Sequence, residues 1–224
     1  MELLERFGLN EEQISKFEKY LELLLEWNEK FNLTAITDKD EIEEKHFLDS
    51  LMLIEFFGIG NKTLLDVGSG AGFPGIPLAI AEPSLKVTLL EANGKKVSFL
   101  KEVIKVLELP NVEVIQGRAE ELKMREHFDV VTARAVKELN ILLEISFHLL
   151  KVGGHFYAYK GPSAKEEYER AKGALKELGA AGPIILEYDL PKSKNSRVFL
   201  RILKRNETPK KYPRPYGEIV KHPL

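Results

Sequence analysis

An α/β fold, a largely parallel sheet with helices on both faces, is predicted by three features of this 224-residue sequence. Short apolar runs alternate with amphipathic stretches from residue 63 onward. A glycine-dense turn, GSGAGFPG, follows the first of those runs at residues 68–75. Two β-type runs separated by a short polar loop then close the alternation, the pattern of an added C-terminal antiparallel strand.

A helical cap precedes the sheet. At residues 10–31, Asn10 is a good N-cap, Glu11 and Glu12 suit the positive helix end, and Gln13 completes a capping box. Ile14, Phe17, Leu21, Leu24 and Leu25 follow the helical stripe, which reads as core packing. Residues 32–34 (Asn-Leu-Thr) break this helix, and residues 41–57 offer another helical run. The spacing next predicts strand 63–67, helix 75–81, strand 85–90, helix 94–107, strand 112–115, strand 128–132, helix 138–150, strand 154–160 and helix 164–178. Strands near 183–189 and 197–204 complete the series, and Gly153 and Gly154 read as the turn into the fifth strand. The expected organisation is a helical extension (1–60) packed on the core, a sheet domain (61–204) and a basic, aromatic tail (205–224).

Composition narrows the function classes. An apolar share of 44% supports a full core, and the absence of cysteine rules out disulfides and a thiolate nucleophile. The apolar runs are too short for a membrane span and the N-terminus lacks a signal-peptide pattern, so a cytoplasmic protein is expected. The net charge of −2 conceals a gradient: residues 1–60 carry 6 basic and 15 acidic side chains, the last 24 carry 7 and 2. A basic tail is a polyanion contact or a solvated terminus.

The glycine turn carries the first chemistry. Gly68, Gly70 and Gly72 let the backbone turn tightly and approach a ligand, and the helix that follows points its N-terminal N–H groups at it. GAGFPG at 70–75 matches the dinucleotide fingerprint literally, but out of register. Asp66, just before the glycines, repels a pyrophosphate and suits a ligand with positive charge and amine donors, such as S-adenosylmethionine. Asp66-x-Gly-x-Gly-x-Gly resembles the first motif of the class I methyltransferases; a dinucleotide site and a non-binding turn are the alternatives. Glu91 ends the next strand about 20 residues on, where an acid accepts ribose hydroxyls in either nucleotide family. Ala119 and Glu120 follow the third strand, where an adenine ring would sit.

Other polar groups point to a substrate. His46, Asp49 and Ser50 share a helical face, and Asn32 lies at the end of the first helix. This set reads as a structural hydrogen-bond cluster or a substrate-side contact; a nucleophilic triad or a metal site ranks low. Arg134 ends the fourth strand, where its fork could grip a polyanion or guanine O6 and N7. Lys160 ends the fifth strand on the same rim. In the tail, Tyr212 and Tyr216 could stack on bases while Lys210, Lys211, Arg214 and Lys221 meet phosphates, with prolines keeping it extended.

Together, Trp27-Asn28, Asn32-Leu-Thr34, His46-x-x-Asp49-Ser50, the loop from Asp66 with its following Ile-Pro-Leu78, Ala133-Arg-Ala135, Lys160-Gly161 and the Tyr-Pro-Arg tail resemble the RsmG (GidB) family, in the same order over nearly the whole chain. Pro215 and Tyr216 depart from the family's more basic or glycine-containing tail. The resemblance implies a class I (Rossmann-like) methyltransferase sheet, S-adenosylmethionine as cofactor, and methyl transfer to N7 of one guanine in the helix 18 loop of 16S ribosomal RNA. It implies cofactor contacts at Gly68, Phe73, Glu91, Ala92, Asn93, Ala119, Glu120 and Arg134. The partner would be 16S ribosomal RNA or a small-subunit particle, the enzyme a monomer without metal, and no general base is expected because N7 already offers a lone pair. The rivals are a class I methyltransferase for another RNA, a protein or a small molecule, and a non-catalytic RNA-binding assembly factor.

Overall fold

The computed structural model describes residues 1–134 and 136–224. A short 3₁₀ turn opens the chain, and helix α1 (Glu11–Phe31) follows. Asn10 Oδ1 accepts from Gln13 N and Gln13 Oε1 accepts from Asn10 N, both at 2.9 Å, so the capping box forms as its residues dictate. Gln13 also donates through Nε2 to the carbonyls of Ile80 and Ala81, tying α1 to the sheet's first crossover helix. The next helical run is one rod in three parts: α2 (Lys39–Ile42), a π-helical stretch Glu43–Leu48, and α3 (Asp49–Phe57). The π segment turns the rod locally, and such bulges recur at functional sites.

The alternating region yields β1 (Thr63–Val67), α4 (Gly75–Ala81), β2 (Lys86–Glu91), α5 (Gly94–Val106), β3 (Val112–Gln116), β4 (Phe128–Arg134), α6 (Leu139–Ser146), β5 (Leu150–Lys160), α7 (Ala164–Glu177), β6 (Ile184–Asp189) and β7 (Ser196–Leu203). The sheet order is β3-β2-β1-β4-β5-β7-β6, with β7 antiparallel to both neighbours. Alternation along each strand divides the core. Leu64, Val87 and Leu89 face α1, α4 and α5. Leu65, Leu90 and Val131 face the other way, with the apolar stripes of α6 and α7. Chain order reverses between β1 and β4, and the crevice beyond the carboxyl ends of these strands is where such sheets hold ligands.

Three expectations need correction. The fifth strand begins at Leu150, not at 154, and Gly153 and Gly154 lie inside it. The ladder jumps from Phe128↔Leu150 to Val130↔His155, and a Cβ on Gly154 would sit 2.8 Å from the Asp129 carbonyl oxygen, so the glycines build a bulge rather than a turn. The helix expected at 138–150 stops at Ser146, with a 3₁₀ turn at Phe147–Leu149. The tail is not extended throughout: α8 (Tyr216–Lys221) closes it, and Tyr212 and Ile219 are buried.

Candidate functional site

The glycine turn leaves β1 and enters α4 with Gly68, Gly70 and Gly72 all in the left-handed region, at φ of 68°, 60° and 99°. Space fixes Gly72 and Gly75 as well. A Cβ at Gly72 would lie 2.5 Å from Ile76 Cδ1, and one at Gly75 would lie 2.3 Å from Leu89 Cδ2. Asp66 is fully buried beneath the turn; Oδ2 accepts from Gly75 N at 3.0 Å, while Oδ1 has no partner among the described residues. Burial raises its pKa to about 7, offset in part by the Gly75 hydrogen bond and the nearby Arg134 guanidinium. Glu91 holds the turn from the side, Oε2 accepting from Gly70 N at 2.9 Å and Oε1 from Asn93 N at 2.8 Å.

Beside the turn are two cavities that share Val136 and Lys137. The smaller, about 150 Å³, is lined by Gly68, Glu91, Ala92, Ala119 and Glu120 with apolar Val67, Leu90 and Ile145. The larger, about 570 Å³, lies beyond β4 and β5 and is lined by His46, Asp49, Arg134, Tyr159, Lys160 and Arg197, among others.

Arg134 organises the larger cavity. Its Nη1 donates to the Lys45 carbonyl at 3.0 Å and to Asp49 Oδ2 at 3.2 Å, and its Nη2 donates to His46 Nδ1 at 3.0 Å. A guanidinium cannot accept, so His46 Nδ1 carries the lone pair and its Nε2–H donates to Thr34 Oγ1 at 2.9 Å. Thr34 is placed by Asn28, whose Oδ1 accepts from Thr34 N. Burial, and then the Arg134 charge, push the His46 pKa down to about 3, so the imidazole is neutral. Asp49 is buried and accepts from the Tyr188 hydroxyl at 2.7 Å, with Arg197 Nε at 3.5 Å. His46 also stacks on Phe73, 4.5 Å between centroids, and the Arg134 guanidinium lies over the same ring.

The structure thus brings His46, Asp49, Arg134 and Lys160 to one cavity and Gly68, Glu91, Ala92, Ala119 and Glu120 to the other. Asn93 caps α5 and supports Glu91. Phe73 lines neither cavity; it is the buried platform under His46 and Arg134. Ser50 is fully buried and donates to the His46 carbonyl, so its hydroxyl is spent inside the helix. Asn32 is the left-handed C-cap of α1, while its neighbours Asn28 and Thr34 reach the cluster. Ala135 of the Ala-Arg-Ala motif lies outside the described residues.

The tail cations sit elsewhere. Arg214 pairs with the fully buried Glu144 on α6, Lys211 lies 3.5 Å from Glu177 on α7, and Lys210 is exposed. Arg197, Tyr159 and Lys45 line the larger cavity without having been singled out in the sequence. Only the position of Tyr159 on β5, beside the fourth strand, and of Arg197 on β7, next to β5, could have indicated those two.

A family model described as rRNA small subunit methyltransferase G, GidB, matches residues 13–185. The chain belongs to this family. The protein called ribosomal RNA small subunit methyltransferase G in Lachnoclostridium phytofermentans is 47% identical over 221 residues, covering 96% of this chain and 91% of that one. Its namesake in Caldanaerobacter subterraneus subsp. tengcongensis is 48% identical over 216 residues, covering 94% and 90%. Among solved structures, M. jannaschii TYW2 in complex with AdoMet superposes with a TM-score of 0.58 at 20% identity, over 70% of this chain and 76% of that one. A SAM-dependent methyltransferase from Aquifex aeolicus also gives 0.58 at 20%, over 77% and 97%. At that identity these two neighbours speak for the fold alone: a class I methyltransferase sheet. No helix among the described residues is long and apolar enough to cross a membrane.

The ligand implied by the methyltransferase G family is S-adenosylmethionine, and the residues present fit it. The buried Asp66 Oδ1, without a hydrogen-bond partner among the described residues, leaves an acceptor suited to a ligand bearing sulfonium and ammonium groups. Each Glu91 oxygen has accepted one backbone N–H and keeps capacity for a ribose hydroxyl. Among the described residues the space over Gly70 is open: an added Cβ would meet nothing nearer than 3.9 Å.

Proposed function

We propose that this chain transfers the methyl group of S-adenosylmethionine to N7 of a guanine in the helix 18 loop of 16S ribosomal RNA, as a cytoplasmic monomer. Asp66, Gly68, Gly70, Gly72, Glu91, Ala92, Asn93, Ala119 and Glu120 hold the cofactor, with Phe73 beneath and Arg134 at its reactive end. The cap helices and the sheet rim form the substrate side through His46, Asp49, Arg134 and Lys160. When bound, the cofactor would supply an electrophilic methyl carbon, and Arg134 with the rim residues would hold the guanine so that its N7 lone pair, which needs no deprotonation, faces that carbon.

The observation that carries this reading is the state of the groups around Arg134. Among the described residues lining the larger cavity, His46 accepts from Arg134, Asp49 accepts from Arg134 and Tyr188, Glu167 accepts from Lys160 at 2.6 Å, and the exposed Glu138 lies 3.5 Å from Arg170. These would-be bases are occupied. Such a site serves a nucleophile that needs positioning and charge rather than deprotonation. Arg134, with two further strand-end cations, Lys160 and Arg197, favours an anionic polymer and can orient a guanine edge.

The test is methyl transfer from labelled S-adenosylmethionine to small-subunit RNA, naked and in assembling particles, beside protein and metabolite pools. Label should enter the RNA at one guanine and make it sensitive to reduction and aniline scission, the chemistry of an N7-methylated base. Label in protein or metabolites, or at an exocyclic nitrogen, overturns the reading.

A further inference from the structure

The tail, whose composition reads as an RNA grip, spends one of its charges, Arg214, inside the fold and leaves Lys210, Lys211 and Lys221 exposed. Arg214 donates from Nε and Nη2 to the two Glu144 oxygens, both at 2.6 Å. Tyr212 is buried with its hydroxyl on Glu177, and Arg125 donates to the carbonyls of Tyr212 and Thr208 at 2.9 and 2.7 Å. Ile219 enters the core between sheet and helices, and the Leu224 carbonyl accepts from Asn140. These anchors deliver one residue to the ligand crevice. Tyr216, half-buried, lines the smaller cavity, with the Arg118 guanidinium over its ring at 4.1 Å from the centroid. Arg118 Nε is held in turn by Glu120 Oε1 at 2.6 Å. Tail and β3 exit are therefore joined through a Tyr216–Arg118–Glu120 chain.

We propose that the C-terminal segment is a cofactor-binding element: Tyr216, backed by Arg118, forms the outer wall of the adenine end of the S-adenosylmethionine site. This rests on the cofactor reading of the glycine turn. The cavity lining combines apolar Val67, Leu90 and Ile145 with the aromatic ring of Tyr216 and the Glu91 carboxylate. That combination suits a purine with an attached ribose. Its volume is well below the roughly 300–1,000 Å³ of sites that enclose a whole drug-sized ligand. It takes one end of an elongated ligand, whose other end runs past Gly68 toward the larger cavity. Base–aromatic stacking is strong enough that losing it changes affinity by about tenfold or more.

The experiment is calorimetric titration of the full chain with S-adenosylhomocysteine, without RNA, for wild type, Tyr216→Ala, Tyr216→Phe, Arg118→Ala and Glu91→Ala. Tyr216→Ala should weaken binding about tenfold or more at that stacking strength. Tyr216→Phe should stay within about twofold and Arg118→Ala should lose severalfold. Amide exchange across residues 205–224 should slow when the ligand is added to wild type. Arg118 is exposed, so its variant answers the question even if Tyr216→Ala folds poorly. If Glu91→Ala loses binding while Tyr216→Ala and Arg118→Ala bind as wild type, the tail proposal falls and the cofactor site stands. If Glu91→Ala binds normally, the cofactor reading itself falls. An unchanged affinity for S-adenosylhomocysteine with a raised KM for RNA in Tyr216→Ala would assign the tail to RNA and overturn the proposal.

Discussion

Cofactor affinity should depend on pH through Asp66. Its carboxyl is fully buried, with one oxygen unpartnered among the described residues, and its pKa stands at about 7 against an ordinary 3.8. A ligand bearing sulfonium and ammonium charge stabilises the ionised form, so binding below that pKa expels a proton. The protonated fraction grows as pH falls, and the apparent Kd should rise about tenfold per pH unit once pH is well below the folded value. For a pKa of about 7 this makes Kd about 90-fold weaker at pH 5 than at pH 8. Calorimetry in two buffers of different ionisation enthalpy should register about 0.9 proton released per ligand at pH 6. Asp66→Asn keeps the acceptor for Gly75 N but removes the titration: affinity should fall at pH 8 and its pH profile flatten, which also corrects for titration of the ligand's own amine. His46 does not intrude, since its pKa of about 3 lies below the window. A wild-type Kd constant from pH 5.5 to 8, with no proton released, would refute the argument.

Four further outcomes are expected. Arg214→Ala strands the fully buried Glu144 carboxylate and should cost about 3–5 kcal/mol, read by denaturant unfolding. Adding Glu144→Leu should recover much of it, and no recovery would show that the anchor acts otherwise. Gly72→Ala forces a Cβ to 2.5 Å from Ile76 and 2.7 Å from the Tyr20 hydroxyl at φ 99°, so a loss of about 1–3 kcal/mol in the same assay is expected and none would refute the packing. Arg134→Lys cannot make the fork's contacts to Lys45, Asp49 and His46 together; methyl transfer to RNA should fall by about 100-fold while the variant stays folded by circular dichroism. The folded His46 pKa is lowered from 6.5 to about 3, so the unfolded chain takes up the proton first and stability drains away as pH falls below 6.5; His46→Gln should flatten that part of the unfolding profile.

Much of the fold is legible because local chemistry demands it. The turn after β1 needs three positive-φ residues, and Asn10 with Gln13 needs no distant partner to cap α1. Asp66 and Glu91 sit at strand ends one crossover apart, so period and spacing place them together. What stays hidden is pairing across the fold. Composition marks Arg214 as a free cation, yet its partner Glu144 lies 70 residues away on α6, and only topology joins them. Ser50 shares the face of His46 by helical spacing, but its own hydroxyl turns to the backbone. The fifth strand's start is obscured for a related reason: Gly153 and Gly154 signal a turn locally, and only the ladder with β4 makes them a bulge.

One guanidinium links these pieces. Arg134, at the end of β4, bonds to a backbone carbonyl, a carboxylate and an imidazole on the cap rod, so cap and sheet rim share a single rigid cluster. The described residues lining the larger cavity include five basic side chains (Lys45, Arg134, Lys137, Lys160, Arg197) against three carboxylates (Asp49, Glu138, Glu167). A phosphate-bearing substrate is drawn to that excess. In the proposed reaction the base leaves carrying the positive charge that the sulfonium brought, while the cofactor becomes neutral at sulfur. The field that favours the guanine therefore disfavours the methylated guanine. In that reading the cationic rim attracts the methylated base less than the unmethylated one, while the phosphates are held as before.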